Sequence, residues 1–186
     1  TSLGGNITML FAATHREWLA GAVLNDVGPT LDEAGLDRIR GYVGVGQSHP
    51  SWVHAARALE EANGDVYPAY GLEQWLAMAK RLYRLNSGGR IVLDYDMRIA
   101  EPLRAPGGEA GVDMWPVMAA FQGIPTLLLR GGRSDLLSAP TAERMAREVG
   151  ASAELVTVPD VGHAPALDEP EAAAGIDRLL ERVLRG

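Results

Sequence analysis

The chain has 186 residues, 47% of them apolar and 22% charged, a composition able to bury a domain-sized core. Its formal net charge is −7, with acids and bases interleaved, a balance that repels a polyanion and gives a nucleic-acid role little support. It has no cysteine, so disulfides, thiolate metal sites and a cysteine nucleophile are excluded, and it has no apolar run long enough to span a membrane.

Read in chain order, the segments are of two kinds. The first kind alternates short apolar strands with amphipathic helices. Leu3, Ile7, Leu10 and Phe11 share one face of a helix that starts close to Ser2. Leu19 to Leu24 is a short apolar run closed by Asn25-Asp26-Val27-Gly28-Pro29, which predicts a buried strand ending in a turn. From about Thr30 to Asp113 the pattern changes. Trp52, Ala55, Ala56 and Leu59 fall at helical spacing, as do Leu72, Trp75, Leu76 and Ala79, and no strand series is evident. Glycine and proline punctuate this stretch, notably at Gly41-Tyr42-Val43-Gly44-Val45-Gly46 and Ala105-Pro106-Gly107-Gly108. A helical insertion of this length between two strands fits a lid. The first pattern then resumes. Ile124 to Leu129 predicts a second strand, and Ser138 an N-cap for a helix whose apolar face is Ala142, Met145, Ala146 and Val149, stopped by Gly150. Leu155 to Val158 predicts a third strand, and Ile176, Leu179, Leu180, Val183 and Leu184 a last helix. Strands separated by helices of this length imply a parallel sheet with crossover helices, an α/β fold.

Three chemistry-bearing residues stand at strand ends. The chain opens Thr1-Ser2-Leu3-Gly4-Gly5, and serine before glycine at a strand-to-helix turn is the visible part of a Gly-x-Ser-x-Gly nucleophile elbow. Taken alone, a serine here is more often a helix cap. Asp135 follows the Leu127-Leu128-Leu129-Arg130 strand end, and His163 follows Val156-Thr157-Val158-Pro159-Asp160-Val161-Gly162. The interval between Asp135 and His163 holds one helix and one strand. Gly162 permits a tight turn before the histidine and Pro165 restricts the loop after it.

On these residues the chain resembles the α/β-hydrolase superfamily, in particular its members with a helical cap inserted between two strands of the sheet. The resemblance covers essentially the whole chain. It implies a core of residues 1–29 and 114–186 with a cap of residues 30–113, and a chain that is the C-terminal part of the fold, parallel strands with flanking helices. It implies Ser2 as nucleophile, His163 as general base and acid, Asp135 as the acid orienting it, and the backbone N–H of Leu3 as an oxyanion donor. Asp26 is the alternative acid, because some members supply it from the strand before the cap. Asp135 is preferred because a Gly-Gly loop ending in Asp is the commoner pattern. The expected activity is hydrolysis of an ester, lactone or related small carbonyl substrate through an acyl-enzyme, with no cofactor. A carbon–carbon bond hydrolase on the same triad, or a non-catalytic binding protein of the same fold, are the alternatives. Dehalogenase and epoxide hydrolase chemistry uses aspartate where Ser2 stands. A nucleotide-binding domain would need a Gly-x-Gly-x-x-Gly after a strand, which is absent.

Other residues carry less. His15, His49 and His54 have no ligand spacing, so no metal site is expected. Asp94-Tyr95-Asp96 marks the return from the insertion, and Trp52, Trp75 and Trp115 are packing residues, with an acyl-pocket lining as the other reading. By the family pattern the strand feeding Ser2 and the loop with a second oxyanion donor precede Thr1. A cytoplasmic location and a small-molecule substrate are expected, with no nucleic-acid or membrane partner. The Leu19 to Leu24 strand is expected to be an exposed sheet edge, so that the isolated chain is either unstable or dimerises through it.

Overall fold

A computed structural model describes residues 1–101 and 113–185. The chain divides into two compact units, one of Thr1–Leu36 with Gly111–Gly186, the other of Asp37–Ala110. The Ala105-Pro106-Gly107-Gly108 stretch lies outside the described residues.

The first unit is built on three parallel strands, β1 (Ala22–Asn25), β5 (Thr126–Gly131) and β6 (Ala153–Val158), in the order β1-β5-β6. The register sets Asn25 beside Leu129 and Gly131 beside Val158, so the strands end at nearly one level. Around them run α1 (Leu3–His15), α5 (Ala139–Val149) and α6 (Pro170–Arg185). Alternation along β5 explains the layering. Leu128 faces a core with Met9 and Ala12 of α1 and Ala142, Met145 and Val149 of α5. Leu127 and Leu129 face the other side, with Ala172 and Leu179 of α6. The expected parallel sheet with flanking helices is the fold observed. Ser138 caps α5, its Oγ accepting from the Thr141 N–H at 3.3 Å, and Gly150 ends that helix at φ 74°.

Two details depart from the sequence reading. The first strand begins at Ala22, three residues later than Leu19, and a single 3₁₀ turn at Arg16–Trp18 lies between α1 and the strand. The face of α1 that enters the core is Gly5, Met9 and Ala12, whereas Leu3, Ile7 and Leu10 are more than half exposed. The helix therefore has two apolar faces, and the one carrying Gly5, Met9 and Ala12 packs into the core.

The second unit contains most of α2 (Glu33–Tyr42) and all of α3 (Trp52–Asn63) and α4 (Leu72–Leu82). Helices α3 and α4 pack through Ala55, Ala56, Leu59, Trp75 and Ala79. It also holds an antiparallel sheet that the sequence reading did not anticipate, β2 (Ser48–His49), β3 (Tyr83–Leu85) and β4 (Ile91–Leu93), in the order β2-β4-β3. These strands are too short to show alternation. The turn that joins β3 and β4 was the available signal: Asn86 Oδ1 accepts from the Gly88 and Arg90 N–H groups, and Gly89 takes φ 74°. Among the described residues, no helix is long and apolar enough to cross a membrane.

Candidate active site

All three strands of the parallel sheet deliver a polar residue at or just beyond their C-terminal ends, where open α/β sheets place their sites. Strand β1 ends in Asn25 and hands over to Asp26, which is 0% exposed and sits at φ 53°. Aspartate is one of the few side chains that tolerate that region. Strand β5 ends in Gly131, and the loop after β6 carries His163. The loops after β5 and β6 are joined: the Gly132 N–H donates to Val158 O at 2.7 Å and the Arg133 N–H to Val161 O at 2.8 Å. A Cβ at Gly131 would strike the carbonyl oxygen of Gly162, so only glycine lets the histidine loop lie against this strand end.

That joining lays His163 over the end of β1. Its Nδ1 is 2.8 Å from Asp26 Oδ2, with the side chains 6% and 0% exposed. An ionised carboxylate only accepts, so Nδ1 carries the proton and Nε2 is the basic nitrogen. Asp26 has two further donors. The Gly131 N–H donates to Oδ1 at 2.8 Å, and Ser134 Oγ lies 2.6 Å from Oδ2. A fully buried carboxylate requires such partners.

The preference for Asp135 over Asp26 as the histidine's acid is thereby corrected. The Nδ1 position is filled by Asp26, the alternative. Loop geometry gives the reason. Ser134 turns towards Asp26, Leu136 and Leu137 are buried in the core, and the backbone of Asp135 passes against Gly35 of α2, where a Cβ would come within 2.7 Å of the Asp135 oxygen. The loop after β5 meets the Asp26–His163 pair through Ser134, the residue before Asp135.

Ser2 precedes α1 with φ 47° and ψ −121°, a backbone conformation that costs a non-glycine residue of order 1–3 kcal/mol. Its side chain makes no capping hydrogen bond to the helix, which removes the helix-cap reading. Leu3 is the first residue of α1, so its N–H is among those with no acceptor inside the helix and lies at the positive end of the helix dipole. The glycines have unequal roles. Nothing lies within 4 Å of a Cβ built at Gly4, whereas one at Gly5 would strike Val27 beyond β1. Gly5, rather than the motif's own Gly4, is what lets the helix approach the strand.

Asn25, which sequence reasoning passed over, ties the elbow to the histidine loop. Its Nδ2 donates to Thr1 Oγ1 at 2.8 Å and to Pro165 O at 2.9 Å, and the residue is 1% exposed. One buried amide thus joins the residue before Ser2 to the residue two beyond His163. The only signal for it in the sequence is a polar residue closing an apolar strand. The remaining histidines serve local contacts: His15 stacks on Phe11, His54 Nδ1 meets Ser51 Oγ, and His49 packs edge-on to Tyr83. Trp75 is buried among Tyr67 and Tyr70, and Trp115 lies under the Arg144 guanidinium with its Nε1–H donating to Thr30 Oγ1.

Comparison with known proteins gives a consistent result. A family model described as "Alpha/beta hydrolase family" matches residues 1–176. The chain is 32% identical over 182 residues to a 3-hydroxybutyrate-oligomer hydrolase of Cupriavidus necator, covering 94% of this chain and 61% of that protein. Among solved structures it is similar to an alpha/beta hydrolase from Novosphingobium aromaticivorans, at TM-score 0.90 and 57% identity, covering 98% of this chain and 64% of that one. An esterase from Mycobacterium tuberculosis shares the fold at TM-score 0.64 and 20% identity, over 98% of this chain and 60% of that one. The chain therefore spans about three fifths of the length of these relatives.

Proposed function

Because the chain belongs to the alpha/beta hydrolase family, we propose that it carries the Ser2, Asp26 and His163 triad of a serine hydrolase acting on carboxylic esters. The observation that carries this reading is the buried Asp26–His163 pair, with Nε2 left as the base, in the same unit as a strained, uncapped serine at a helix start.

His163 Nε2 takes the Ser2 proton as Oγ attacks the ester carbonyl carbon. The negative charge that develops on the carbonyl oxygen is met by the Leu3 N–H at the head of α1. As the tetrahedral intermediate collapses, the imidazolium gives its proton to the alkoxide leaving group and the acyl group remains on Ser2. Water, deprotonated by the same nitrogen, then attacks the acyl carbon, and as the bond to Ser2 Oγ breaks the imidazolium returns the proton to that oxygen and the acid leaves. Asp26 keeps its charge throughout, holding the Nδ1–H tautomer and stabilising the imidazolium. The similarity to a 3-hydroxybutyrate-oligomer hydrolase supports esters of short hydroxy acids as the substrates to try first.

The test is kinetic. In the full-length protein, Ser2→Ala is expected to lower turnover of a p-nitrophenyl ester by several orders of magnitude, with the thermal melt little changed. A variant that retains more than about a tenth of the activity contradicts Ser2 as the nucleophile.

A further inference from the structure

The triad reading leaves one polar group of the site without a role. Ser134 lies in the loop after β5, its Oγ 2.6 Å from Asp26 Oδ2, 3.1 Å from the Leu136 nitrogen and 3.0 Å from the Leu137 nitrogen. A hydroxyl has one proton and two lone pairs. The two backbone N–H groups can only donate, so they take the lone pairs. The carboxylate can only accept, so the proton goes to Asp26. The rotor has a single satisfied orientation.

We propose that Ser134 is a positioning residue for the acid–base pair, passing the alignment of the Leu136 and Leu137 amides on to the carboxylate that orients His163. The proposal rests on the triad reading above. The terminal torsion of an aspartate is soft, so the side chain does not fix its own plane. Here three donors fix it: the Gly131 N–H on Oδ1, and the Ser134 O–H and His163 Nδ1–H together on Oδ2. Asp26 is completely buried, which leaves bulk water no place from which to substitute for a lost donor. Without Ser134, Oδ2 retains only the proton of the ring it has to orient, and the carboxylate can turn with that ring instead of holding it. Ser134 acts on His163 only through Asp26, so the effect is expected in turnover and not in binding.

The experiment is a double-mutant cycle in the full-length protein, with p-nitrophenyl butyrate as substrate. Ser134→Ala, Ser134→Cys and Ser134→Thr are each made alone and together with Asp26→Asn, and kcat and KM are measured separately. Ser134→Ala is expected to lower kcat on the order of ten- to a hundred-fold, the scale of a hydrogen bond to a charged group, with KM within about twofold. Ser134→Thr, which keeps the hydroxyl, stays within a few-fold of the parent. Ser134→Cys keeps the shape but offers a weak donor, so it loses turnover even if the alanine variant does not fold. In the Asp26→Asn background the same changes at Ser134 cost little more. Wild-type kcat in both the alanine and cysteine variants overturns the proposal, as does an equal loss in the two backgrounds, which would mark a purely structural turn residue. If Ser2→Ala or Asp26→Asn leaves activity intact, the triad reading itself fails. If both abolish it while Ser134 is neutral, only the positioning role fails.

Discussion

At the scale of single residues, the site turns on which of two aspartates meets His163. Asp26 Oδ2 lies 2.8 Å from Nδ1, and the amide of an asparagine there would favour the opposite tautomer, with the proton on Nε2. Asp26→Asn is therefore expected to cost on the order of ten-thousand-fold in turnover, by analogy with the same change in serine proteases. Asp135→Asn is expected to change it less than about tenfold, since that residue does not fill the Nδ1 position. Steady-state rates of the two variants check this, and a larger loss at Asp135 contradicts the assignment. The sequence singles out His163 and two candidate acids by their places after apolar strands, and Ser2 by its place before a helix. The choice between acids was not legible there. It depends on how the loops after β5 and β6 hydrogen-bond to each other, a tertiary contact with no local pattern. Asn25 and Ser134 were invisible for the same reason, since a lone polar residue at a strand end reads as a turn former until its partners are placed.

At the scale of elements, the site is held by close approaches that only small residues permit. Gly5 lets α1 reach Val27, and an alanine there would force overpacking into a core that also contains Met9 and Ala12. Gly5→Ala is expected to cost about 1–3 kcal/mol of stability, read as a fall in the denaturant midpoint with the slope unchanged. An unchanged midpoint would show that the helix has room to shift. Asn25 makes the complementary contact, joining elbow to histidine loop through its two N–H bonds. Asn25→Leu keeps the branched outline but removes both donors, leaving the buried Pro165 carbonyl without its partner. It is expected to destabilise the protein by about 1–3 kcal/mol and also to lower kcat. Retained kcat in a folded variant contradicts a role in setting the elbow. The long periodic helices α5 and α6 were legible because their apolar faces repeat over several turns. The strands of the second unit were not, because two or three residues show no period.

At the scale of the whole molecule, the described residues leave an apolar surface uncovered. Strand β1 is the outer strand of the order β1-β5-β6, with β5 as its partner on one side, and Leu3, Ile7, Leu10 and Phe11 of α1 are exposed. Each such side chain gains roughly 1.5–3 kcal/mol when buried, a large fraction of the 5–15 kcal/mol typical of a domain. Residues 1–186 expressed alone are expected to self-associate through this surface, with sedimentation showing dimers or larger species whose share rises with concentration. A concentration-independent monomer with a sharp melt contradicts that expectation. The proposed chemistry makes Ser2 Oγ the atom that becomes covalently modified. Its most direct test is to treat the full-length protein with a fluorophosphonate, digest it and locate the adduct by mass. The account predicts a single modified site on the peptide containing Ser2, formed rapidly in the parent and far more slowly in Asp26→Asn. Labelling on another residue, or none at Ser2 in an active preparation, would contradict it.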